Sequence, residues 1–333
     1  MNIRMTSSDK DLRDAFFDEL YAIARQDPRV ILLTADMGAH SLGRFKKDLS
    51  RQYINVCVAE QNMISVAAGL ALGGKKVFVY TIIPFATMRC FEQIKVDVCC
   101  MRLPVTVVGI GTGLTYGGDG PTHHGIQDIA VMRSLPEMTI LNPCDAVITQ
   151  AAARLAYEQQ GPVYVRLERG RFPLIYGAGS ADFSRGLHQI REGEDITLIA
   201  TGNMVHRAVE AADILRKKFL SVRVVDVYRI KPLNTALLIK MMEGTKGVVT
   251  LEENCLTGGL GSAVSEVLCD SCKGIALKRL AIPDEHCFAS GDREALQQLY
   301  QLDVSNIVHS IVRWFPQRAE HVFMEGKEDG FRH

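Results

Sequence analysis

Residues 55–74 read NVCVAEQNMISVAAGLALGG, and the reading of this stretch decides the fold. Val56 and Val58 are β-branched and suit the end of a strand. From Gln61 the composition changes to Met63, Ile64, Ala67, Ala68, Leu70, Ala71 and Leu72, mostly good helix formers. Gly73-Gly74 stops that helix. Glu60 therefore stands where a strand gives way to a helix N-terminus. In an open parallel sheet, ligands gather at the carboxyl ends of the strands. A carboxyl walled there by Val, Met and Ala is poorly solvated, which suits a group that shares a proton with a ring nitrogen. An acid in a first helical turn also complements the helix dipole, worth roughly 0.3–1 kcal/mol. That second reading of Glu60 stays open.

The same rhythm extends to both sides. Residues 8–26 carry apolar side chains at helical spacing, with Ser7 or Ser8 as the cap. Residues 30–34, VILLT, form a short apolar strand ending in the loop Ala35-Asp36-Met37-Gly38. A short basic helix is expected over 44–51, a strand over 76–80, and a helix over 85–99 with Pro84 just before it. Residues 103–110 lack polar alternation, so this strand is buried on both faces. A helix over 126–134, a strand over 138–141, a helix over 146–158 and a strand over 163–167 follow. Strands alternating with helices make a parallel sheet with right-handed crossovers. Residues 177–193 are rich in Gly and Ser, and the domain boundary is placed there. Beyond it the rhythm repeats, with strands over 196–200, 221–227, 247–252 and 278–282, and the tail from Pro316 is polar.

Bulk composition narrows the class. With 333 residues, 47% hydrophobic and 23% charged, the chain can bury two sizeable cores. Lys+Arg and Asp+Glu balance at 38 each, so no basic excess points to nucleic acid or an anionic membrane surface. No apolar run reaches the ~18 residues of a membrane span, and the first residues lack an apolar signal core, so a cytoplasmic location is expected. The nine cysteines are then expected to be reduced. Cys269 and Cys272 form a lone C-x-x-C without a second pair, which disfavours zinc, and Cys99-Cys100 reads as core.

The chemistry concentrates in loops at strand ends. Residues 111–125, GTGLTYGGDGPTHHG, hold six Gly and one Pro in fifteen positions. Such a backbone can approach a ligand closely. Asp119 can accept from a polyol, and His123 and His124 can hold hydroxyls or relay protons. A capped turn and a surface histidine pair are the plainer readings. A zinc site from His123, His124 and Cys144 lacks a recognised spacing. Arg166 and Arg169 close a strand and could grip an anion bidentately, or Arg169 could pair with Glu168 at the surface. Gly258-Gly259-Leu260-Gly261 before a helix reads as a tight turn, since no Lys follows and no full Gly-x-Gly-x-x-Gly is present.

Taken together, VAEQNMISVAAGLALGG, YTIIPFATMRCFEQIK, GGDGPTHHGIQDIAVMRSLPEMTILNPCD and VYVRLERG, in this order, resemble the transketolase family. The chain looks most like the C-terminal subunit of a split transketolase. RIKPLN and EENCLTGGLGSAVSEVL are similar to the C-terminal domain shared with 1-deoxyxylulose-5-phosphate synthase. The resemblance implies an α/β protein of two doubly wound domains. These are a parallel-sheet pyrimidine-binding domain over 1–180 and a mostly parallel C-terminal domain over 190–315, followed by the tail 316–333. It implies thiamine diphosphate and Mg2+ as cofactors, with ketol transfer from a ketose to an aldose. Glu60 matches the catalytic acid at the aminopyrimidine, and Phe85 the aromatic residue stacked on it. Asp119 and His123 match substrate-hydroxyl binders, His123 also with a catalytic role, and Arg169 matches the sugar-phosphate arginine. Asp36 falls in the cofactor-adjacent loop, near which His40 and Arg44 could also meet substrate. Ile82 and Met88 stand where full-length transketolases carry further aromatic pocket residues, and Gly111 where they carry a phosphate-side His.

The family's Gly-Asp-Gly…Asn motif for magnesium and diphosphate does not occur before Glu60. The resemblance then implies a partner, the N-terminal transketolase subunit, that supplies the diphosphate half in a heterotetramer of two of each chain. Alternatives are a split 1-deoxyxylulose-5-phosphate synthase, the β subunit of a 2-oxo acid dehydrogenase component, and a non-catalytic interaction subunit. The DGPTHHG loop favours the sugar-processing enzymes. The joint presence of Glu60, Phe85, Asp119 and His123 argues against the last. At the distal end of the substrate, the change at Gly111 points away from ordinary pentose phosphates and toward a sulfonate or a branched sugar phosphate.

Overall fold

Five apolar runs and the short, partly exposed segment Tyr53–Asn55 in the first half become strands β1 (Val30–Thr34), β2 (Tyr53–Asn55), β3 (Lys76–Ile82), β4 (Val105–Ile110), β5 (Thr139–Leu141) and β6 (Val163–Leu167). The second half adds β7 (His188–Arg191), β8 (Ile196–Ala200), β9 (Val222–Asp226), β10 (Arg229–Lys231), β11 (Gly247–Cys255) and β12 (Leu277–Ile282). These come from a computed structural model that describes residues 10–177 and 179–315. One sheet runs β10-β5-β6-β4-β3-β1-β2, the other β12-β11-β8-β9-β7. Only β10 on β5 and β7 on β9 pair antiparallel among the described residues. The chain is thus α/β with two mostly parallel sheets.

Register puts the site on one edge. β1 pairs with β3 from Val30↔Lys76 to Thr34↔Tyr80. β3 meets β4 up to Ile82↔Ile110, and β4 meets β6 up to Ile110↔Leu167. The loops that follow β1, β3, β4 and β6 therefore leave from the same side. β1, β4 and β6 are buried along their whole length, as strands covered on both faces must be. The helices Leu12–Gln26 and Ala146–Glu158 cover one face through Phe16, Phe17, Ala152 and Ala153. The helix Glu60–Leu72 covers the other through Met63, Ile64 and Ala67 against Val77, Val79 and Val107. In the second sheet, the helices Met204–Lys217 and Val304–Trp314 take one face, and Thr235–Met242 and Leu260–Asp270 the other.

Several local expectations change. β2 ends at Asn55, so Val56 and Val58 lie outside it, and Val58 is 72% exposed. The Asn55 side-chain oxygen accepts from the backbone N–H of Asp36 and of Cys57, both at 3.0 Å. This turns the chain through Cys57, which takes a positive φ of 57°. Residues 85–99 are not one helix. A short helix, Ile83–Ala86, holds Pro84 in its first turn. The Thr87 hydroxyl then back-bonds to the Ile83 carbonyl at 2.7 Å, and helix resumes at Phe91–Gln93 and widens into a π-turn over Ile94–Cys99. Cys99 is buried but Cys100 is exposed. The helix expected over 126–134 forms only at Asp128–Arg133. β7 forms inside the stretch read as a linker, and β10 crosses from the second half to extend the first sheet.

The first helix is capped by Asp11, whose carboxylate accepts from the Arg13 N–H at 2.9 Å. Ser7, Ser8 and the tail 316–333 lie outside the described residues. Among the described residues, no helix is long and apolar enough to cross a membrane.

Candidate active site

Glu60 is the first residue of its helix and only 3% exposed. Arg89 donates to its Oε2 at 2.8 Å, and no other described residue hydrogen-bonds the carboxylate. The same guanidinium lies over the Phe85 ring, 4.0 Å from its centre. Phe85 reaches this place because the chain turns into the helix Ile83–Ala86 directly after β3. A planar nitrogen group thus already satisfies two demands here, stacking on Phe85 and donating to Glu60.

The loop after β4 faces this pair. Its base is pinched by reciprocal bonds between Gly113 and Gly125, at 2.8 and 2.9 Å. Gly111 has a φ of +91°, and a side chain there would overlap the Tyr116 ring. Tyr116 therefore fills the space beside the position where relatives in the family are expected to carry His. His123 packs edge-on against Phe85 at 5.1 Å between ring centres, and against Tyr116 at 6.1 Å. Its Nδ1 lies 2.9 Å from the Thr122 hydroxyl. Arg169 lies over Tyr116 at 5.8 Å. Burial raises the Tyr116 phenol above its ordinary value, so it stays protonated and can donate. Glu60, Phe85, His123 and Arg169 are thereby linked through Arg89 and Tyr116, while Asp119 sits exposed at the loop tip.

The remaining candidates scatter. His124 is not half of a surface pair; it is fully buried, and burial lowers its pKa. Asp36 is exposed beside Asn55, Ile82 is half-buried at the end of β3, and Met88 is 38% exposed. His40 lines a polar cleft of about 690 Å³ with Lys10, Asp14, Asp18, Arg44 and Arg171, where Arg44 is ion-paired to Asp18. Glu168 does not pair with Arg169; Arg293 from the second half grips it at 2.7 and 3.1 Å. Arg166 is buried and holds Asp128 and the Gly125 carbonyl, so it anchors the loop. Cys144 is buried beside Asp226. Gly258–Gly261 is a tight turn whose Leu260 and Gly261 N–H groups donate to Glu252, both at 2.7 Å. Among the described residues, no cluster of three or more His, Cys, Asp or Glu could hold a metal ion.

Arg89 and Tyr116 were not singled out from the sequence. Arg89 follows Phe85 by four residues, a spacing at which helical side chains meet. Tyr116 lies inside the glycine-rich loop, as its lone tyrosine.

The family model described as "Transketolase, pyrimidine binding domain" matches residues 8–173, and "Transketolase, C-terminal domain" matches 186–307. One of the subunits of the apulose-4-phosphate transketolase of Phocaeicola vulgatus is 37% identical over 297 residues, 89% of this chain and 94% of that one. The chain belongs to the transketolase family. It is a transketolase-type transferase subunit that carries the pyrimidine-binding and C-terminal domains, and thiamine diphosphate dependence goes with the family. The 6-deoxy-6-sulfo-D-fructose transketolase subunit SqwH of Clostridium sp. (strain MSTE9) is 36% identical, covering 90% of this chain and 92% of that one. A 1-deoxy-D-xylulose-5-phosphate synthase from Heliobacterium modesticaldum is 37% identical over 88% of the chain, which spans 45% of that protein. Among solved structures, one described as "Split gene transketolase, inactive beta4 tetramer" superposes with a TM-score of 0.84 at 34% identity, over 91% of this chain and 97% of that one.

Proposed function

We propose that this transketolase-family chain is the pyrimidine-binding half of a two-chain enzyme moving a two-carbon ketol unit from an anionic ketose to an aldose. The observation that carries the reading is the buried Glu60 carboxylate beside the Phe85 face, with Arg89 showing that a planar N–H donor fits both. The aminopyrimidine of thiamine diphosphate is likewise planar, and once its ring nitrogen carries a proton it would donate to the Glu60 carboxylate as Arg89 does here. When bound, the cofactor supplies a carbon nucleophile for cleavage beside a carbonyl. Glu60 would hold and return the proton at the ring nitrogen, and Phe85 would orient the ring, with Ile82 and Met88 at its margin and Asp36 near the cofactor loop. His123 and Asp119 would hold the ketol hydroxyls, His123 also moving a proton at a substrate hydroxyl.

An N-terminal transketolase subunit, two copies with two of this chain, would bring Mg2+ and the diphosphate site. Support for a second chain comes from relatives that are themselves named as transketolase subunits and from the split-gene structure, whose tetramer of one chain type is described as inactive. Arg169, with the Tyr116 phenol beside it and His40 farther out, would take the substrate's distal anion. Two relatives of nearly equal identity are named for a branched sugar phosphate and for a sulfosugar. Identity therefore does not choose the substrate, and the Tyr116–Gly111 exchange favours a terminus other than that of an ordinary pentose phosphate. A second reading, deoxyxylulose-phosphate synthesis, rests on the comparable identity to that synthase.

The test combines this chain with an N-terminal transketolase subunit from the same source, thiamine diphosphate and Mg2+. Xylulose 5-phosphate, fructose 6-phosphate, a branched ketose phosphate and 6-deoxy-6-sulfofructose are each offered as donor with an aldose phosphate as acceptor and, separately, pyruvate with glyceraldehyde 3-phosphate. Ketol transfer only with both chains, at higher kcat/KM for an unusual terminus, is expected. Carbon dioxide release from pyruvate as the sole activity would overturn the transketolase reading. Full activity from this chain alone would overturn the two-chain reading. A clear preference for the ordinary phosphates would remove the substrate assignment alone.

A further inference from the structure

We propose that Glu253 and Arg293 of the second domain are positioning residues that hold the substrate-side loops of the first domain in their working geometry. The proposal rests on the reading of those loops as substrate-binding. Glu253 is 4% exposed, at the carboxyl end of β11. Its Oε1 accepts from the Leu114 N–H at 3.0 Å, inside the glycine-rich loop. Arg293 starts the helix Arg293–Leu299 and bonds Glu253 through Nε and Nη2, the shortest at 2.7 Å. Its Nη1 donates to Glu168 at 2.7 Å, and its Nη2 reaches the Thr112 hydroxyl at 3.2 Å. One guanidinium thus ties β11 to the loop after β4, which carries Asp119 and His123, and to the residue preceding Arg169.

Glycines record the same contact from the other side. Gly113 has a φ of +58°, and a Cβ there would stand 2.5 Å from the Glu253 side chain. A Cβ on Gly117 would overlap the Gly291 carbonyl of the second domain. The loop is therefore shaped at both of these points to admit the second domain. The remaining valences of Glu253 are filled by Asn203 at 2.6 Å and Gln297 at 3.0 Å, which fix the carboxylate itself. Burial alone would push Glu253 up, and the adjoining Arg293 overrides this and holds it below the ordinary carboxylate range. It is then a charged acceptor at neutral pH. None of these contacts touches Glu60 or Phe85, so the network separates substrate geometry from cofactor geometry.

The experiment compares Arg293→Gln, Glu253→Gln and the control Lys231→Met in the assembled two-chain enzyme. Lys231 also spans the domains, donating to the Arg133 and Leu135 carbonyls at 2.7 and 2.5 Å, but on the side where β5 begins. Small misplacements of binding groups are costly. Arg293→Gln and Glu253→Gln should therefore lower kcat/KM for the ketose about tenfold or more through KM, with thiamine diphosphate affinity within about twofold of wild type. Backbone hydrogen exchange of residues 111–125 should accelerate in both. Lys231→Met should lower thermal stability without either change. Unchanged exchange in both loop variants, or equal changes in Lys231→Met, would overturn the proposal. If the wild-type complex shows no ketol transfer, the functional reading fails, and the exchange measurement still decides the positioning role.

Discussion

The carboxyl edge around Glu60 and the seam around Arg293 are both built from ionic groups, yet they are finished to different degrees. At the seam, Arg293 meets two buried carboxylates, Glu168 and Glu253, and Asn203, Gln297 and the Leu114 amide fill what remains. At the edge, Glu60 has one partner among the described residues, Arg89, whose side chain is 40% exposed, and Val58 and Met88 stand open nearby. Buried charges are tolerated only when paired and hydrogen-bonded, which the seam satisfies within one chain. The edge leaves acceptor capacity on Glu60 and apolar surface at Val58 and Met88, which the proposed reading assigns to cofactor and substrate. In the proposed reading the second domain serves the first as a scaffold, and the chemistry lies at the rim.

The sharpest way to break this contrast is Glu60→Gln. Turnover of the assembled enzyme should fall by about 10²–10⁴-fold, the usual weight of an acid–base step, while the thermal midpoint barely moves. Steady-state rates and thermal unfolding on one preparation check both halves. A variant that turns over like wild type would take Glu60 out of the chemistry, and one that melts early would make the edge structural.

Gly113→Ala probes the seam instead. A methyl group there meets Glu253 in a left-handed backbone, and overpacking of this kind costs roughly 1–3 kcal/mol. Gly118→Ala, farther along the same loop and with nothing within 4 Å, should be neutral. Urea unfolding of the pair measures the difference. Equal stabilities would mean that the seam yields easily and does not fix the loop.

A third effect concerns pH. Burial pushes Asp226 up to about 7, although the Tyr176 hydroxyl and the Cys144 thiol donate to it and partly offset the shift. Because the folded value lies above the unfolded one, near 3.8, the folded state holds the proton between them. The stability this group contributes is complete below pH ~4 and is lost as pH rises through about 7. Asp226→Asn should therefore flatten the decline in thermal midpoint from pH 5 to pH 8. Glu252, also pushed up to about 7 by burial, leaves a residual slope. An unchanged slope would show that Asp226 ionises freely in the fold.

Sequence by itself determined the parallel strands, because a run such as VILLT or VTVVGI is apolar on both faces and can only be covered twice. It determined the turn that bears Glu60 and the glycine-rich loop, since helix formers and glycines act over a few residues. The residues marked Glu60, His123 and Arg169, and the family resemblance added Phe85, four side chains that the tertiary structure links into one neighbourhood through Arg89 and Tyr116. Only the tertiary structure decided the rest. β7 and β10 are short edge strands of four and three residues whose pairing is antiparallel to distant segments, with no local pattern to announce them. Arg293 meets Glu168 across 125 positions and Glu253 across 40. No periodicity connects such residues; they are brought together when the two sheets pack, and burial then requires each charge to find its partner.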